Sequence, residues 1–365
     1  MMQRLILICL LGLLGQNGRA QTATPADSGR VRRVGVLPVP TFGYTPETKG
    51  YLGAVALFTL RLYPDDTLTR TSNAKLEANF TQNRQRILAT EWTFFSRQEC
   101  YLTQGAVSLQ RFPELFWGIG NRTPAANEEL FDTRRTEARV AVLRQVRRYV
   151  FAGPRLQLQE LRGLGLLPDG LLARGDIAGS RGGRSSGAGY ELVYDGRDNL
   201  LNPQRRGYAR LAHSFFGGWL GSDFRFTRYE LDLRRYWRLK SRVLLAGQLV
   251  GAFHSGEPPF RMLALMGPEA GMRGYYTGRF RDRQLLAAQA EVRVPLIWRL
   301  GVVGFAGAGQ VARGFGGFGL GELKPTLGGG LRFLVDKREN VNLRFDYAVG
   351  AGGNTGFYVA FGEAF

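Results

Sequence analysis

Residues 341–349 read Val341-Asn342-Leu343-Arg344-Phe345-Asp346-Tyr347-Ala348-Val349, with an apolar residue at every odd position. Successive side chains of a β-strand point to opposite faces. Asn342, Arg344 and Asp346 therefore lie together on the face opposite the apolar residues. A strand with one apolar and one charged face fits either a soluble sheet or a barrel in lipid whose charged face lines a lumen. Patterns elsewhere in the chain favour the barrel.

The same alternation recurs along the chain. In Tyr229 to Leu239 charged residues alternate with apolar ones, and Arg235 interrupts the apolar face; Ala74 to Phe80 repeats the pattern. Helical periodicity is nowhere sustained, and a glycine inside a helix costs about 1 kcal/mol. The sequence therefore predicts an all-β fold, a transmembrane antiparallel β-barrel of about sixteen strands. We expect them at 34–44, 50–62, 72–82, 86–96, 101–112, 132–146, 149–162, 187–196, 207–217, 223–238, 242–254, 284–296, 300–312, 325–336, 341–350 and 356–365.

The N-terminus has the pattern of a secretory signal peptide. A basic residue precedes the apolar run Leu5 to Leu14, and small residues stand one and three positions before a cut after Ala20. About ten apolar residues are too few to cross a hydrocarbon core of roughly 30 Å as a helix. We predict a signal peptide at 1–20, a short periplasmic segment at 21–33 and the barrel at 34–365.

Charge narrows the possible partners. The chain has a net charge of +19, and removal of the predicted signal with Arg4 and Arg19 leaves 19 − 2 = +17. A soluble protein this basic suggests nucleic acid, but an exported chain meets none, so the predicted partner is outer-membrane lipid. Either a basic wall beside anionic headgroups or a basic lumen explains the charge. Cys100 would remain as the single cysteine and could form no internal disulfide.

Loop lengths predict the orientation. Short periplasmic turns and long outer loops are typical of bacterial outer-membrane barrels. If the N-terminus is periplasmic, gaps after odd-numbered strands face outward. The gaps after even-numbered strands are short, except for two of middling length at 63–71 and 197–206. The long gaps all follow odd-numbered strands, at 113–131, 163–186, 255–283 and 313–324. The location predicted is the outer membrane of a Gram-negative bacterium.

The C-terminus adds an insertion signal. Phe357, Val359, Phe361 and Phe365 alternate up to a terminal aromatic residue, although Glu363 breaks the apolar face. This arrangement resembles the signal by which outer-membrane barrels are delivered for insertion. We therefore assign Phe361 and Phe365 to such a signal.

The longest loop contains Gly271-Met272-Arg273-Gly274-Tyr275-Tyr276. The loop could be a solvated tip, or it could fold into the lumen, where glycine permits close backbone approach. Alternation in Leu286 to Leu296 turns Glu291 inward, within reach of the Arg273 guanidinium. We predict the second arrangement, in which a buried pair fixes geometry more than it adds stability.

Arg273, Gly274 and Tyr275 match the arginine-glycine-aromatic motif of the sixth outer loop in the BamA/TamA superfamily of assembly and translocation barrels, which this chain resembles. Five predicted strands follow the motif, as in that family's sixteen-stranded barrel. Gly43 to Thr48 is similar to its first hairpin turn. The segment with Asp195, Arg197, Asp198 and Asn199 is similar to its periplasmic turn between strands eight and nine. The resemblance implies help with inserting or exporting outer-membrane proteins or lipids, without catalysis, metal or cofactor.

Two departures from the family pattern change what is expected here. Where the family has a second acidic partner for the loop arginine on strand thirteen, this chain has Gly307. We therefore expect a loop-to-barrel lock of Arg273, Gly274 and Tyr275 with Glu291, assisted by Asp282. The segment 21–33 is too short for the family's periplasmic client-binding domains, so a separate periplasmic partner is predicted. Pro38 and Pro40 in the first strand lack N–H donors and weaken pairing at the seam with the last strand.

Other chemistry has little support in the sequence. Gly183-Arg184-Ser185-Ser186-Gly187 matches G-x-S-x-G, but that motif requires a strand, a sharp turn and a helix. His213 and Ser214 are neighbours that point opposite ways in a strand, and no cysteine–histidine spacing fits a metal site. A lipid-processing enzyme is therefore disfavoured. The remaining alternative to an assembly barrel is a passive, anion-preferring pore, suggested by the positive charge.

Overall fold

The computed structural model describes residues 33–45, 48–66, 69–199, 202–239, 242–336 and 340–365. The predicted signal peptide at 1–20 and all but the last residue of the predicted segment 21–33 lie outside these ranges. Among the described residues, no helix is long and apolar enough to cross a membrane.

Sixteen long strands follow one another in the described chain, each antiparallel to the next. They are β1 Val34–Thr45, β2 Lys49–Leu60, β3 Ser72–Thr81, β4 Arg86–Phe95, β5 Tyr101–Arg111, β6 Glu129–Arg147, β7 Val150–Gly165, β8 Gly183–Asp195, β9 Arg206–Phe216, β10 Phe226–Arg238, β11 Leu244–Gly256, β12 Gln284–Pro295, β13 Leu300–Ala312, β14 Lys324–Asp336, β15 Val341–Gly350 and β16 Thr355–Phe361. The predicted all-β barrel of about sixteen strands is confirmed.

The two faces of the strands differ as the alternation predicts. In β3, Phe80 is 63% exposed on the outer, lipid-facing wall. Lys75 lies on the other face, where its Nζ is 2.9 Å from a Glu77 carboxylate oxygen. Apolar side chains cover the outer face, and opposite charges pair on the inner face. A barrel that surrounds a polar lumen and stands in hydrocarbon requires this arrangement.

Some boundaries differ from the prediction. β6 begins at Glu129 rather than 132, because its extension pairs with the short strand Glu114–Phe116. Two further short strands, Ala264–Leu265 and Arg281–Asp282, pair inside the longest loop. Segments of two or three residues are too short to show a period of two, so the sequence does not reveal them.

The C-terminal end also departs from the prediction. β16 ends at Phe361, and Gly362 with φ +81° turns the chain away from the strand direction. Phe365 is buried against Tyr236 and Leu244, and its backbone oxygen accepts a hydrogen bond of 3.0 Å from Arg293 Nη2. The alternation expected through Phe365 is therefore wrong, because a positive φ at glycine ends the strand four residues earlier. The insertion signal at Phe361 and Phe365 stays a prediction.

The first and last strands meet at a seam of a different kind. Within the described ranges, β1 forms a backbone ladder with β2, and β16 forms one with β15, but no ladder joins β1 to β16. The Tyr51 hydroxyl, on β2, donates to the Val359 carbonyl of β16 over 3.1 Å. The rings of Tyr44 and Phe357 lie 6.1 Å apart across the seam.

Candidate functional site in the barrel lumen

The loop between β11 and β12, residues 257–283, folds into the barrel. Met266, Met272 and Tyr275 from this loop are fully buried, and they pack against Leu285 of β12 and Val311 of β13. The predicted inward fold of the longest loop is confirmed. Apolar side chains of the loop hold it at the end of the barrel that bears the long loops 112–128, 166–182 and 257–283, which we call the long-loop mouth. The charged motif at the centre of the loop therefore reaches the lumen wall.

Arg273 makes the central contacts of the site. Its Nη2 donates to Glu291 Oε2 over 2.6 Å, and its Nη1 donates to Asp346 Oδ2 over 2.8 Å. The guanidinium carbon lies 3.4 Å from the centre of the Phe305 ring. Arg273 is 2% exposed, and both carboxylates are 0% exposed. One loop side chain therefore joins β12, β13 and β15 through charge-assisted hydrogen bonds and a cation–π contact.

Two buried carboxylates beside one arginine would leave excess negative charge, and neighbouring arginines offset it. Arg293 Nε donates to Glu291 over 2.7 Å, and Arg332 Nη1 donates to Asp346 over 2.5 Å. Arg332 also donates to the Glu363 carboxylate over 2.8 Å. The whole network contains Arg273, Arg293, Arg332, Arg344, Glu291, Asp346 and Glu363. Paired charges of this kind tolerate burial, whereas a lone one would not.

The next two motif residues bind the last strands. Gly274 has φ +100°, a conformation that L side chains rarely adopt, and its N–H donates to the Tyr358 hydroxyl over 2.9 Å. A Cβ at Gly274 would lie 3.1 Å from the Val349 carbonyl carbon. The Tyr275 hydroxyl donates to the Pro325 carbonyl over 2.7 Å. Glycine is required here because the loop backbone touches the wall.

Asp282 and Asp346 have roles different from those expected. The Asp282 carboxylate accepts a hydrogen bond of 2.8 Å from the Arg283 backbone N–H, and no ion pair of the described residues joins it to Arg273. The expectation that Asp282 assists the lock is therefore wrong. The second acidic partner of Arg273 is Asp346. The signal for Asp346 was present, since it is the one carboxylate on the lumen face of the segment 341–349. Asp346 is 73 residues from Arg273 in the sequence, so no local pattern predicts their contact.

The predicted periplasmic turn joins β8 and β9 and is held by side chains binding its own backbone. Asp195 accepts from the Arg197 backbone N–H over 3.3 Å and from its Nε over 2.9 Å. Asp198 accepts from the Gln204 N–H over 2.9 Å, and Asn199 accepts from the Asn202 N–H over 2.8 Å. Short polar side chains commonly form such turns. These contacts assign the residues a part in holding the turn.

The long-loop mouth is covered by loops that bind one another. The Glu129 carboxylate accepts the N–H groups of Leu171 and Leu172 over 2.6 and 3.0 Å, which fastens loop 166–182. Loop 112–128 crosses the mouth, where Asn121 accepts from the Val311 N–H over 3.2 Å. Phe116, Phe131 and Phe260 pack below these contacts. The cover therefore has an apolar layer between the lumen and the outside.

The cavities in the lumen include two of about 740 and 310 Å³. The charges that line the larger one are evenly divided between six arginines and six acidic residues: Arg135, Arg139, Arg210, Arg228, Arg261, Arg344, Glu91, Glu114, Glu137, Glu230, Asp232 and Glu269. The positive net charge of the chain is therefore not concentrated at the lining of this cavity.

The residues considered for other chemistry lie apart from the motif site. Ser185 and Ser186 are in extended backbone of β8, not at a strand-to-helix turn. The His213 ring lies 4.9 Å from the Tyr229 ring, and His254 Nδ1 is 2.7 Å from the Arg283 carbonyl oxygen. In the described ranges, no three His, Cys, Asp or Glu side chains are grouped so as to hold a metal ion.

Known proteins share this architecture. Residues 177–365 match the family model described as the Omp85 superfamily domain. The structure is similar to that of BamA from Haemophilus ducreyi lacking POTRA domains 1–3, with a TM-score of 0.60 and 13% identity over 90% of this chain and 70% of that one. It is equally similar to CdiB from Acinetobacter baumannii, with a TM-score of 0.60 and 13% identity over 90% of this chain and 60% of that one. No curated protein shows significant sequence similarity to the chain.

The matched half of the chain contains the inward loop, the lumen network and the last nine strands. The protein belongs to the Omp85 superfamily. Membership of this superfamily, together with the apolar outer wall, points to the outer membrane of a Gram-negative bacterium.

Proposed function

We propose that this protein is a non-catalytic outer-membrane barrel that helps to insert or export outer-membrane proteins or lipids. The observation that carries the proposal is the seam, where β1 and β16 meet without the backbone ladder found between the other neighbouring strands of the described chain. An unpaired strand edge is a template for an incoming strand, which can add to it by main-chain hydrogen bonds.

The first and last strands pack closely, but no backbone ladder of the described residues opposes their separation. The side-chain contacts across the seam include the Tyr51 hydrogen bond and the aromatic contact of Tyr44 with Phe357. Pro38 and Pro40 in β1 lack N–H donors, so part of that edge cannot form a regular ladder. A single hydrogen bond contributes about 1 kcal/mol and an aromatic pair a similar amount. Opening here costs far less than separating any ladder-paired strands.

The loop-to-barrel lock supports the same function. Arg273 binds β12 and β15, and Gly274 binds Tyr358 of β16. The loop therefore holds the last strands as one unit from inside. We infer that opening moves β1 and its neighbours away from a stiffened β12–β16 wall.

Capture of a client needs a periplasmic component. We propose that a separate periplasmic partner delivers clients to the mouth of the barrel that bears the short turns, opposite the long loops (the short-turn mouth). The predicted cleavage after Ala20 belongs to the same proposal, since it would release the barrel for insertion.

The passive pore is less well supported. An anion-preferring pore needs an open lumen with excess positive charge, whereas loops cover the long-loop mouth and acidic and basic side chains balance in the larger cavity.

A cross-link across the seam tests the proposed function. In a Cys100→Ser background, Tyr44→Cys with Phe357→Cys places thiols on β1 and β16 for a short bifunctional reagent. The matched control, Tyr347→Cys with Phe357→Cys, links β15 to β16, which are already paired. We expect the seam cross-link, but not the control, to lower the content of client proteins or lipids in the outer membrane to that of a deletion strain. An unchanged outer membrane after complete seam cross-linking contradicts the proposal.

A further inference from the structure

The short-turn mouth bears eight exposed arginines between the end of β6 and the start of β11. We name them the arginine patch: Arg144, Arg147, Arg148, Arg205, Arg206, Arg235, Arg238 and Arg242. None forms an ion pair with a carboxylate within the part of the chain that the structure describes. Asp198 is the one exposed acid at these described strand ends, and its carboxylate already accepts two backbone N–H groups. The patch therefore has a large uncompensated positive charge.

Two members of the patch stand on the lipid-facing wall. Arg144 lies between Val142 and Val146, which are 45% and 62% exposed on the same face of β6. Arg235 interrupts the outer apolar row of β10 in the same way, next to the exposed Trp237. Each arginine is three residues from the end of its strand, or about 10 Å along it.

This position selects lipid over a soluble partner. A guanidinium beside an apolar wall, about 10 Å from the strand end, extends its aliphatic stem along the wall and places its charge among headgroups. A periplasmic protein would meet the turn arginines, but it would not reach charges that stand among lipid-facing valine and tryptophan side chains. Anionic lipid headgroups reach both the arginines of the turns and the two arginines of the wall.

Tyr149 stands at the centre of the turn arginines. The guanidinium carbons of Arg148 and Arg206 lie 4.9 and 5.3 Å from the centre of its ring. A hydrogen bond from Arg206 holds the pKa of the Tyr149 hydroxyl below its ordinary value. Tyrosine is enriched at membrane–water interfaces, and guanidinium groups bind phosphate with two parallel N–H donors.

We propose that the arginine patch binds the phosphate groups of anionic phospholipids in the leaflet at the short-turn mouth. Five adjacent strands, β6 to β10, extend about 20 Å around the wall, which is wide enough for several headgroups. These strands lie opposite the seam in a sixteen-stranded barrel. Bound lipid would anchor the far wall and leave β1 and β16 free, yet the site does not depend on the proposed function.

Lipid titration of the purified full-length barrel tests this site. The midpoint of thermal unfolding would be followed by circular dichroism in detergent micelles containing phosphatidylglycerol, or phosphatidylcholine at equal mole fraction. The variants are a wall pair, Arg144→Gln with Arg235→Gln, and a turn pair, Arg148→Gln with Arg206→Gln. The matched control is Arg84→Gln with Arg86→Gln, which removes two exposed arginines at the opposite mouth.

We expect phosphatidylglycerol to raise the wild-type midpoint more than phosphatidylcholine does, with an effect that weakens at about 0.5 M salt. Each patch pair should raise the apparent Kd for phosphatidylglycerol about tenfold or more, and the control pair should leave it unchanged. Equal responses to the two lipids, or equal loss in the control, overturn the proposal. Selective binding of lipid A phosphates by the wild type also overturns it. The same holds if the patch variants lose binding of an acidic periplasmic protein but bind phosphatidylglycerol as tightly as the wild type.

Discussion

At the scale of single residues, Arg273 is the side chain on which the loop depends. Its Ala variant leaves Glu291 and Asp346 buried with fewer donors. Removing one partner of a buried pair typically costs about 3–5 kcal/mol, but Arg293 and Arg332 still offset both charges, so we expect roughly 2 kcal/mol. The loss of stability in Arg273→Lys should lie between those of wild type and Arg273→Ala. One ammonium group cannot replace a planar guanidinium that donates to two carboxylates. Urea unfolding in lipid vesicles, followed by tryptophan fluorescence, measures these losses.

Arg283 provides the control for that measurement. It is an arginine of the same loop, but it pairs with Glu257, whose side chain is 76% exposed. An exposed pair contributes little, so Arg283→Ala should cost about 0.5 kcal/mol or less. Equal losses of unfolding free energy in Arg273→Ala and Arg283→Ala would show that Arg273 stabilises the barrel no more than an exposed arginine of the same loop.

Residue-scale prediction from sequence succeeded where a local pattern defined the environment. Alternation in β12 turned Glu291 inward, and the inward loop was confirmed together with the fold. Asp346 was missed because its contact with Arg273 depends on how distant strands are arranged around the lumen. Phe305, whose ring stacks on Arg273, was missed for the same reason, since an inward phenylalanine is not distinguished from other lumen residues by sequence alone.

At the scale of elements, strand periodicity predicted nearly all that is regular. Segments of ten or more residues such as β3 and β15 show the period of two clearly. The short strand Glu114–Phe116 and the inward turn after Phe361 were missed because their geometry depends on a partner strand and on a positive φ at Gly362. Loops therefore contain what the sequence could not reveal.

Glu129 provides a test of how the loop cover is held. Its carboxylate accepts two N–H groups of loop 166–182, and hydrogen bonds to charged groups contribute about 1.5–3 kcal/mol each. We expect Glu129→Ala to release this loop, and limited proteolysis should cut the variant within 166–182 at least about tenfold faster than wild type. Glu129→Gln keeps one acceptor oxygen and should be intermediate.

The exposed Glu128 is the matched neighbour, because no hydrogen bond from its side chain is recorded in the described structure. Glu128→Ala should leave the cleavage rate unchanged. A cleavage rate in Glu129→Ala that equals that of Glu128→Ala would mean that apolar packing alone holds the loop cover.

At the scale of the whole molecule, the distribution of charge separates an assembly barrel from a pore. The chain has a net charge of +19, yet arginines and acids are equal in number around the larger cavity, and unpaired arginines gather at the short-turn mouth. Composition alone left a basic wall and a basic lumen as alternatives. Only the folded barrel shows which face each arginine occupies.

Planar-bilayer conductance tests this distribution. We expect the wild-type barrel to be closed for most of the recording, because the inward loop and the apolar cluster beside it block the long-loop mouth. Replacing residues 266–280 with a short Gly/Ser linker should produce steady openings with weak ion selectivity, since the exposed lumen has balanced charge. The same linker in place of 218–221, a tip at the same mouth, should leave the barrel closed. A steady anion-selective current through the wild-type protein would instead favour the pore, because only an open lumen with excess positive charge could carry it.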